Sequence, residues 1–313
     1  MTNLLEVHQL SLSITTGHIL QRKKTILDRI SFSVPRGSAT AYLGKNGAGK
    51  TSTFRLLCGM VRADSGEIYF DNQPCDHGIP PNRFGFMPEQ PYFYHNLTPR
   101  AMLTGFGRLS GMRLDAVRFA ITQWAEKLHI QRVLDQPLSA CSKGQIQRIG
   151  LVQALMHRPD FILLDEPMSG LDPMGRECVQ QVMHEEVQRG ASILFSSHIL
   201  ADAENLCDHV IILENGKTTF SGTITDLTTK DDQWQIRCRH GEAAWASIPN
   251  ISAKKTANQQ WLVTCPDRAQ RDMLLQRLLA MAEVTIVSVN TKRKTLEQAF
   301  IDLVSDPSKK DGA

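Results

Sequence analysis

The sequence has no hydrophobic run long enough to cross a membrane. No apolar stretch in the 313 residues approaches the roughly 20 that a bilayer-spanning helix needs. Residues 1–6 also lack a basic segment followed by an apolar block, so we expect no signal peptide. These absences predict that the chain contains no membrane-spanning helix.

The seven cysteines are not arranged as metal ligands or as a disulfide framework. Their number is odd, they are scattered along the chain and no two have the spacing C-x-x-C, so we interpret them as reduced thiols. The formal net charge of +3 is too small to indicate binding to nucleic acid. Composition alone therefore gives no sign of a zinc ribbon, a disulfide scaffold or a nucleic-acid partner.

What the sequence does contain is a glycine-rich segment at 44–51, Gly-Lys-Asn-Gly-Ala-Gly-Lys-Thr, with the pattern G-x-x-x-x-G-K-T. It follows a short apolar run at 39–43 and precedes helical sequence at 52–58, which is the strand–loop–helix context of a phosphate-binding loop. In such a loop, backbone N–H groups surround the phosphates. Lys50 would then reach the β- and γ-phosphates, and the Thr51 hydroxyl would hold Mg²⁺. A chance glycine-rich turn is the alternative, which the later motifs disfavour.

An apolar run that ends in two acids follows at 161–167, Phe-Ile-Leu-Leu-Asp-Glu-Pro. Continuous apolar sequence is typical of a strand in a parallel sheet, whose carboxyl end faces the ligand. Asp165 would hold Mg²⁺, directly or through water, and Glu166 would polarise the water that attacks the γ-phosphate. A buried strand that ends in a solvated acidic turn is the alternative interpretation.

A third segment, Cys-Ser-Lys-Gly-Gln at 141–145, opens a helical stretch at 146–157. Ser142 has the residue type of an ordinary N-cap. Its hydroxyl, the Gly144 backbone and the helix N-terminus together also predict an anion site. We expect this site to lie far from Lys50 of the same chain, so a second molecule would have to supply the nucleotide.

The order and spacing of these motifs resemble those of the ATP-binding cassette family, the ATPase subunits of ABC transporters, over about residues 4–225. The segment Ser-Gly-Leu-Asp-Pro at 169–173 matches the family's loop at the dimer interface, and His198 matches its switch histidine. Asp172 and Pro173 also have the residue types of an N-cap and a first helical position. The resemblance implies an ATPase that converts ATP and water into ADP and phosphate. It would act as a homodimer whose protomers enclose two MgATP head to tail.

The fold implied by the resemblance is α/β, a P-loop ABC ATPase core in which a mixed sheet is joined by an N-terminal antiparallel β part and a helical insert. A separate integral membrane permease subunit would form the pore, with the ATPase bound peripherally at the cytoplasmic side of the inner membrane. No nucleic-acid partner is implied. The implied catalytic residues are Lys50, Glu89, Glu166 and His198, and the implied Mg²⁺ ligands are Thr51, Glu89 and Asp165. The implied ATP contacts are Gly44, Lys45, Asn46, Gly47, Ala48, Gly49, Lys50, Thr51, Ser52, Ser142, Gly144, Gln145 and Asp172.

The sequence departs from the family pattern in two respects. After a proline equivalent to Pro88 the family has a glutamine that ligates Mg²⁺ and senses the membrane partner, whereas this chain has Glu89, with Gln90 one step later. A carboxylate can ligate Mg²⁺ but cannot donate an amide hydrogen bond. The family also stacks adenine on an aromatic residue near the N-terminus. Residues 1–31 contain no Phe, Tyr or Trp, which leaves His18 as a candidate.

Composition and motif positions also predict the domain organisation. We expect a nucleotide-binding domain at 1–225 with a helical insert at about 98–157, a small α+β accessory domain at 226–305 and a tail at 306–313. The segment 295–303 is similar to the C-terminal helix of ATPases paired with ABC-2-type exporters. The resemblance therefore implies export.

Aromatic residues are concentrated in one short segment. Five Phe and Tyr residues lie within 84–94, around Glu89. Because aromatic side chains are enriched in the cores of protein interfaces, we interpret this segment as part of a groove for a helix of the membrane subunit. Burial at a domain seam is an equally weighted alternative.

Two other functions stay open from the sequence. The first is a soluble cassette protein that acts on nucleic acid, although such chains typically carry paired cassettes, long coiled coils or zinc-ligand cysteines, and none is present. The second is a catalytically silent cassette that binds ATP only as a regulatory or structural partner. The presence of Lys50, Asp165, Glu166 and His198 argues against the second function.

Overall fold

The computed structural model describes residues 2–16, 22–246, 248–256 and 260–305. The chain forms two compact units that divide between Ile224 and Thr225, and the second unit ends at Ser305. Within the described ranges, no helix has both the length and the apolar character needed to cross a membrane.

The first unit holds the long N-terminal hairpin, the glycine-rich loop and the acidic strand. Its strands are β1 (Asn3–Thr16), β2 (Arg22–Pro35), β3 (Ala39–Leu43), β4 (Ser65–Phe70), β5 (Gln73–Pro74), β6 (Phe84–Met87), β7 (Phe161–Leu164), β8 (Ser192–Ser197), β9 (His209–Glu214) and β10 (Lys217–Thr223). Its α-helices are α1 (Lys50–Leu57), α2 (Pro99–Leu109), α3 (Leu114–Lys127), α4 (Lys143–Leu155), α5 (Pro173–Gln188) and α6 (Leu200–Leu206). Short 3₁₀ helices lie at Pro81–Arg83, Gln131–Val133 and Leu138–Ala140.

These strands form two sheets. One is antiparallel, in the order β2-β1-β4-β5, and the other is mixed, in the order β10-β9-β3-β8-β7-β6. In the mixed sheet only β10 pairs with its neighbour in the antiparallel sense. Every residue of β3 and β7 is buried, because helices and the second sheet cover both faces, and this explains the continuous apolar sequence of these strands. The expected α/β class with a mixed sheet and an N-terminal antiparallel part is confirmed.

Four parallel strands bring their carboxyl ends to one edge of the mixed sheet. β3, β8, β7 and β6 lie side by side, with Leu43 opposite Ser197, Leu164 opposite Phe195 and Met87 opposite Leu164. The glycine-rich loop, His198, the pair Asp165–Glu166 and the segment Pro88–Glu89 each follow one of these strand ends. The sheet therefore collects residues that are far apart in the sequence.

The helices α2, α3 and α4 occupy the region predicted to be a helical insert. Thr98 caps α2, with its side chain accepting a hydrogen bond from the N–H of Ala101. Val117 and Ile121 of α3 are buried, on the apolar face of that helix. The 3₁₀ helices at Gln131–Val133 and Leu138–Ala140 connect α3 to α4.

The second unit is a small α+β structure. It contains α7 (Ile224–Thr228) at the boundary, β11 (Thr229–Arg239), α8 (Glu242–Trp245), β12 (Ser252–Lys255), β13 (Trp261–Cys265), α9 (Arg268–Leu279), β14 (Thr285–Arg293) and α10 (Leu296–Ser305). The strands form an antiparallel sheet in the order β12-β13-β11-β14. Its core includes Ile236 and Val263 of the sheet and Leu274 and Leu278 of α9, so this unit has an apolar centre of its own.

Candidate nucleotide-binding and catalytic site

The loop between β3 and α1 has a shape that requires glycine at two positions. Gly49 precedes α1 with a φ of 113°, which L side chains rarely adopt. A Cβ on Gly44 would lie 2.5 Å from the carbonyl oxygen of Leu213, closer than real side chains come. This backbone ends at a helix N-terminus, where free N–H groups and the helix dipole favour an anion. The loop thus has the conformation that phosphate binding needs.

Lys50 is the buried cation of the site. Its side chain is 7% exposed, and its Nζ donates to the carbonyl oxygen of Gly44 at 2.7 Å. The same Nζ lies 3.5 Å from Oε1 of Glu166, whose side chain is 10% exposed. A buried ammonium is stable only beside such compensating oxygens, so the loop and the acidic strand hold Lys50 together.

The two acids after β7 share one hydroxyl group. Ser196 Oγ, at the end of β8, donates to Oδ1 of Asp165 at 2.6 Å and accepts from the N–H of Glu166 at 2.8 Å. Asp165 is fully buried, and its Oδ2 has no hydrogen-bond partner among the described residues. Because an unsatisfied buried carboxylate oxygen is costly, Asp165 is poised to bind a cation.

A cation at this carboxylate would have few protein ligands. The described residues contain no cluster of three or more His, Cys, Asp or Glu side chains that could hold a metal ion. Mg²⁺ is usually bound through one or two carboxylates together with waters and substrate phosphates, rather than by an all-protein cage. The single orphaned oxygen of Asp165 fits that pattern, and Thr51 at the start of α1 has the hydroxyl expected of a further ligand.

His198 completes the cluster. Its Nδ1 lies 2.7 Å from Oε2 of Glu166, while half of its side chain remains exposed. The structure therefore brings Lys50, Asp165, Glu166 and His198 together from the ends of three neighbouring strands. The carboxylate of Glu166 is the centre of this group, with Lys50 on one oxygen and His198 on the other.

Burial shifts the pKa of two neighbouring groups. Burial raises the pKa of the Cys58 thiol to about 12, and the charge of Asp165 adds to this effect. Burial also raises the pKa of Asp202 in α6, against the opposing effects of Arg176 and Gln180. Cys58 is therefore a protonated, inert thiol at neutral pH.

The segment predicted to bind a nucleotide in trans lies at the exposed start of α4. Ser142 caps this helix in a capping box: its Oγ accepts from the N–H of Gln145 at 3.3 Å, and its own N–H donates to Oε1 of Gln145 at 2.8 Å. Asp172 caps α5 by a single hydrogen bond, its Oδ1 accepting from the N–H of Gly175 at 2.8 Å, and its side chain is 66% exposed. Both expected N-caps are confirmed, and both stay accessible.

Glu89 and Gln90 are both exposed and line the same cavity of about 370 Å³. The cavity also includes Phe93, Cys141 and Lys143. Burial and position thus do not distinguish Glu89 from Gln90. The candidate adenine contact His18 lies outside the described residues.

Ser196 was not identified as a site residue from the sequence. The available signal was its place at the end of a strand, two residues before His198, where a small hydroxyl side chain stands in an apolar strand. Its role as a shared hydrogen-bond partner depends on the register of β7 and β8, which a single sequence does not reveal.

Comparison with known proteins supports this description. The ABC transporter family profile matches residues 27–169. An uncharacterised ABC transporter ATP-binding protein of Synechocystis sp. is 32% identical over 304 residues, which cover 96% of this chain and 84% of the relative. Nod factor export ATP-binding protein I of Ralstonia nicotianae is 32% identical over 215 residues, which cover 67% of this chain and 66% of the relative.

Solved structures have the same fold. The ATP-binding subunit of an ABC transporter matches with a TM-score of 0.63 and 32% identity, over 72% of this chain and 91% of that chain. A dimeric ATP-binding cassette in a post-hydrolysis state, bound to ADP and Pi, matches with a TM-score of 0.64 over 70% of this chain and 98% of that chain. Its identity is 18%, so this second match shows the fold alone. From these matches and the assembled site, the chain belongs to the ABC transporter ATP-binding proteins and is an ATPase.

Proposed function

We propose that this ATPase drives transport, in the direction of export, through a separate integral membrane subunit. The observation that carries the proposal is the convergence of Lys50, Asp165, Glu166 and His198 at one sheet edge, because a silent cassette would not need a complete set of hydrolytic groups. In this proposal two protomers enclose two MgATP head to tail. The complex lies at the cytoplasmic side of the inner membrane.

The residues at the sheet edge have distinct roles in hydrolysis. The loop 44–52 binds the phosphates, with Lys50 on the β- and γ-phosphates. Asp165 and Thr51, with Glu89, would hold Mg²⁺, which when bound supplies positive charge to the phosphate oxygens. Glu166 accepts a proton from water as the water oxygen attacks the γ-phosphorus and the bond to the ADP oxygen breaks.

His198 orients the base in this proposal. Its Nδ1 contacts one carboxylate oxygen of Glu166, at 2.7 Å, which limits the directions in which the carboxylate can point. Half of the His198 side chain is exposed, so the ring can also reach a γ-phosphate bound at the loop. Precise orientation of the base matters because proton transfer requires hydrogen-bond contact.

The second protomer supplies the other side of the nucleotide. Ser142 and Gly144 stand at the exposed start of α4, where a helix N-terminus favours anions. With Gln145 and Asp172 they would contact ATP held by the loop of the partner. The γ-phosphate then bridges the protomers, and its release after hydrolysis opens the dimer.

The direction of transport rests on two likenesses. Residues 295–303, which resemble the C-terminal segment of ABC-2-type exporter ATPases, include most of α10 (Leu296–Ser305). One relative of 32% identity is a Nod factor export ATP-binding protein. Both favour an exporter.

The membrane subunit would dock at a groove lined by the aromatic segment 84–94. The groove has a volume of about 330 Å³ and is lined by Phe84, Phe86, Phe93 and Phe106 together with Tyr92. Tyr92 is 93% exposed, so it is available to a partner. Exposed aromatic side chains beside a groove lined by further aromatic rings are typical of hot spots that receive a partner helix.

Affinity purification from detergent-solubilised membranes tests this proposal. Tagged protein should recover an integral membrane protein, and Tyr92→Ser should reduce the recovery by about tenfold, as expected for a hot-spot aromatic. Phe119→Ser is the matched control, since Phe119 of α3 is 68% exposed and does not line the groove. Equal recovery with both variants would contradict the docking site. Recovery of nucleic acid or of soluble proteins in place of a membrane protein would contradict the transport function.

A further inference from the structure

The backbone of Glu166 has an unusual conformation. Its φ is +50°, in the left-handed region that residues with a Cβ rarely adopt. Such conformations persist where the surroundings hold them in place, and they are frequent at functional sites. Hydrogen bonds are made by the peptide groups on both sides of Glu166.

Two side chains bind this backbone from opposite directions. On the N-terminal side, the N–H of Glu166 donates to Ser196 Oγ at 2.8 Å. On the C-terminal side, the carbonyl oxygen of Glu166 accepts from the N–H of Ser169 at 3.0 Å and from Nε2 of Gln147 at 3.3 Å, and the same Nε2 lies 3.5 Å from the carbonyl oxygen of Pro167. Gln147 is 2% exposed, so its amide hydrogens have little access to water and are committed to these carbonyl groups.

The position of Gln147 on α4 relates this contact to the start of the same helix. α4 begins at the Ser142 cap, and Gln147 lies between one and two helical turns further along the same rigid helix. The start of that helix is the segment proposed to contact the nucleotide of the partner protomer. One helix therefore connects the trans anion site to the backbone of the proposed base.

We propose that Gln147 is a positioning residue for hydrolysis, which holds the left-handed backbone of Glu166 and makes the direction of its carboxylate depend on the position of α4. The inference rests on the proposed function, because it takes Glu166 as the base and the start of α4 as the contact to the partner's nucleotide. Gln147 itself touches neither water nor phosphate in this role.

The substitution Gln147→Met tests the proposal, because Met keeps the length of the side chain and removes its hydrogen-bond donors. We expect kcat for ATP hydrolysis to fall by roughly 10- to 100-fold, as a small displacement of a catalytic group does. KM for ATP should change by no more than about twofold, since the loss affects the transition state rather than nucleotide binding. The control Gln123→Met changes an exposed glutamine of α3 and should leave kcat unchanged.

A purely structural role for Gln147 would give a different result. Nucleotide affinity and thermal stability would then fall together with kcat. An unchanged kcat in folded Gln147→Met, or a parallel loss of affinity and stability, would overturn the proposal. If Gln147→Met does not fold, Gln147→Glu keeps the side-chain shape and places an acceptor opposite the two carbonyl oxygens. Its kcat should fall at least as far, and wild-type turnover in this variant would also overturn the proposal.

A double-variant cycle separates this inference from the function on which it rests. In single-turnover assays, adding Gln147→Met to Glu166→Gln should lower the residual rate by no more than about twofold, because Gln147 acts through a carboxylate that is already absent. Fully additive losses would show that Gln147 acts elsewhere. If Glu166→Gln alone keeps its turnover, the assignment of the base is wrong. If Glu166→Gln loses turnover while Gln147→Met keeps it, only the positioning role fails.

Discussion

The two groups of residues proposed to bind ATP differ in how much of their surroundings one chain provides. Lys50, Asp165 and Glu166 are buried, and hydrogen bonds and an ion pair hold them at the edge of the mixed sheet. Ser142 and Asp172 stand exposed at the starts of two helices, where they act as helix caps, and Asp172 also lies 3.8 Å from the guanidinium of Arg148. The proposed hydrolytic groups are thus assembled within one chain, whereas the proposed anion site at α4 would be complete only with a ligand from outside it.

The largest effect should come from a change to the buried group. Glu166→Gln should lower phosphate release by roughly 10²- to 10⁴-fold, because a carboxamide cannot accept the proton of the attacking water. ATP binding should persist, so size-exclusion chromatography with ATP should detect a stable dimer. Phosphate release at the wild-type rate would remove Glu166 from its catalytic role.

A change to the exposed group should also lower hydrolysis, but through loss of the dimer. Ser142→Arg should abolish the ATP-dependent dimer and reduce hydrolysis by about 100-fold, since the bulky side chain at the partner-facing helix start would clash across the interface. The affinity of the isolated monomer for ATP, measured by titration, should stay close to wild type. Weakened binding in monomers would show that Ser142 contacts the nucleotide of its own chain, and the comparison between the two groups would fail.

Substitutions at Glu89 test whether the exposed loop after β6 works together with the buried hydrolytic residues. Glu89→Ala should reduce the hydrolysis stimulated by the membrane subunit by roughly tenfold, as loss of a metal-site contact does. ATP binding should be retained. Glu89→Gln keeps a ligating oxygen and should stay active, and Gln90→Ala should have little effect. A larger loss from Gln90→Ala than from Glu89→Ala would assign the role to Gln90.

The smallest expected effect concerns the base of the nucleotide rather than its phosphates. We expect the purified protein to discriminate between ATP and GTP by less than about tenfold, because residues 1–31 offer no aromatic ring and stacking is worth roughly 1–3 kcal/mol per base. Competition binding with both nucleotides measures this directly. Strong selectivity for ATP would mean that another group recognises adenine, and His18→Ala would be the next variant to measure.

The sequence predicts the parts of the site that depend on local pattern. The glycine-rich loop, the acidic strand end and the caps at Ser142 and Asp172 all follow from residue type and spacing, and the structure has each of these elements at the expected place. Parallel strands then explain why the loop, the acids and His198 share one edge. The catalytic and binding roles themselves stay predictions.

Contacts that depend on register could not be predicted. The hydrogen bonds of Ser196 and Gln147 to Glu166 join residues that are far apart in the sequence, and the sequence gives no sign of the left-handed φ of Glu166. β12 likewise has no signal in the sequence, because all four residues of this edge strand are exposed and two are lysines, so it lacks the alternating pattern of a half-buried strand.

The capping box of α4 has a consequence for which ligands its first residue can recognise. The oxygen of Ser142 already accepts a hydrogen bond, and its N–H is used by the side chain of Gln145. What the residue still offers is the hydrogen of its hydroxyl and the second lone pair of that oxygen, next to backbone N–H groups that can only donate. The helix start therefore favours anions: phosphate, vanadate and sulfate oxygens match several donors at once, while an ammonium group of the same size meets mostly hydrogens.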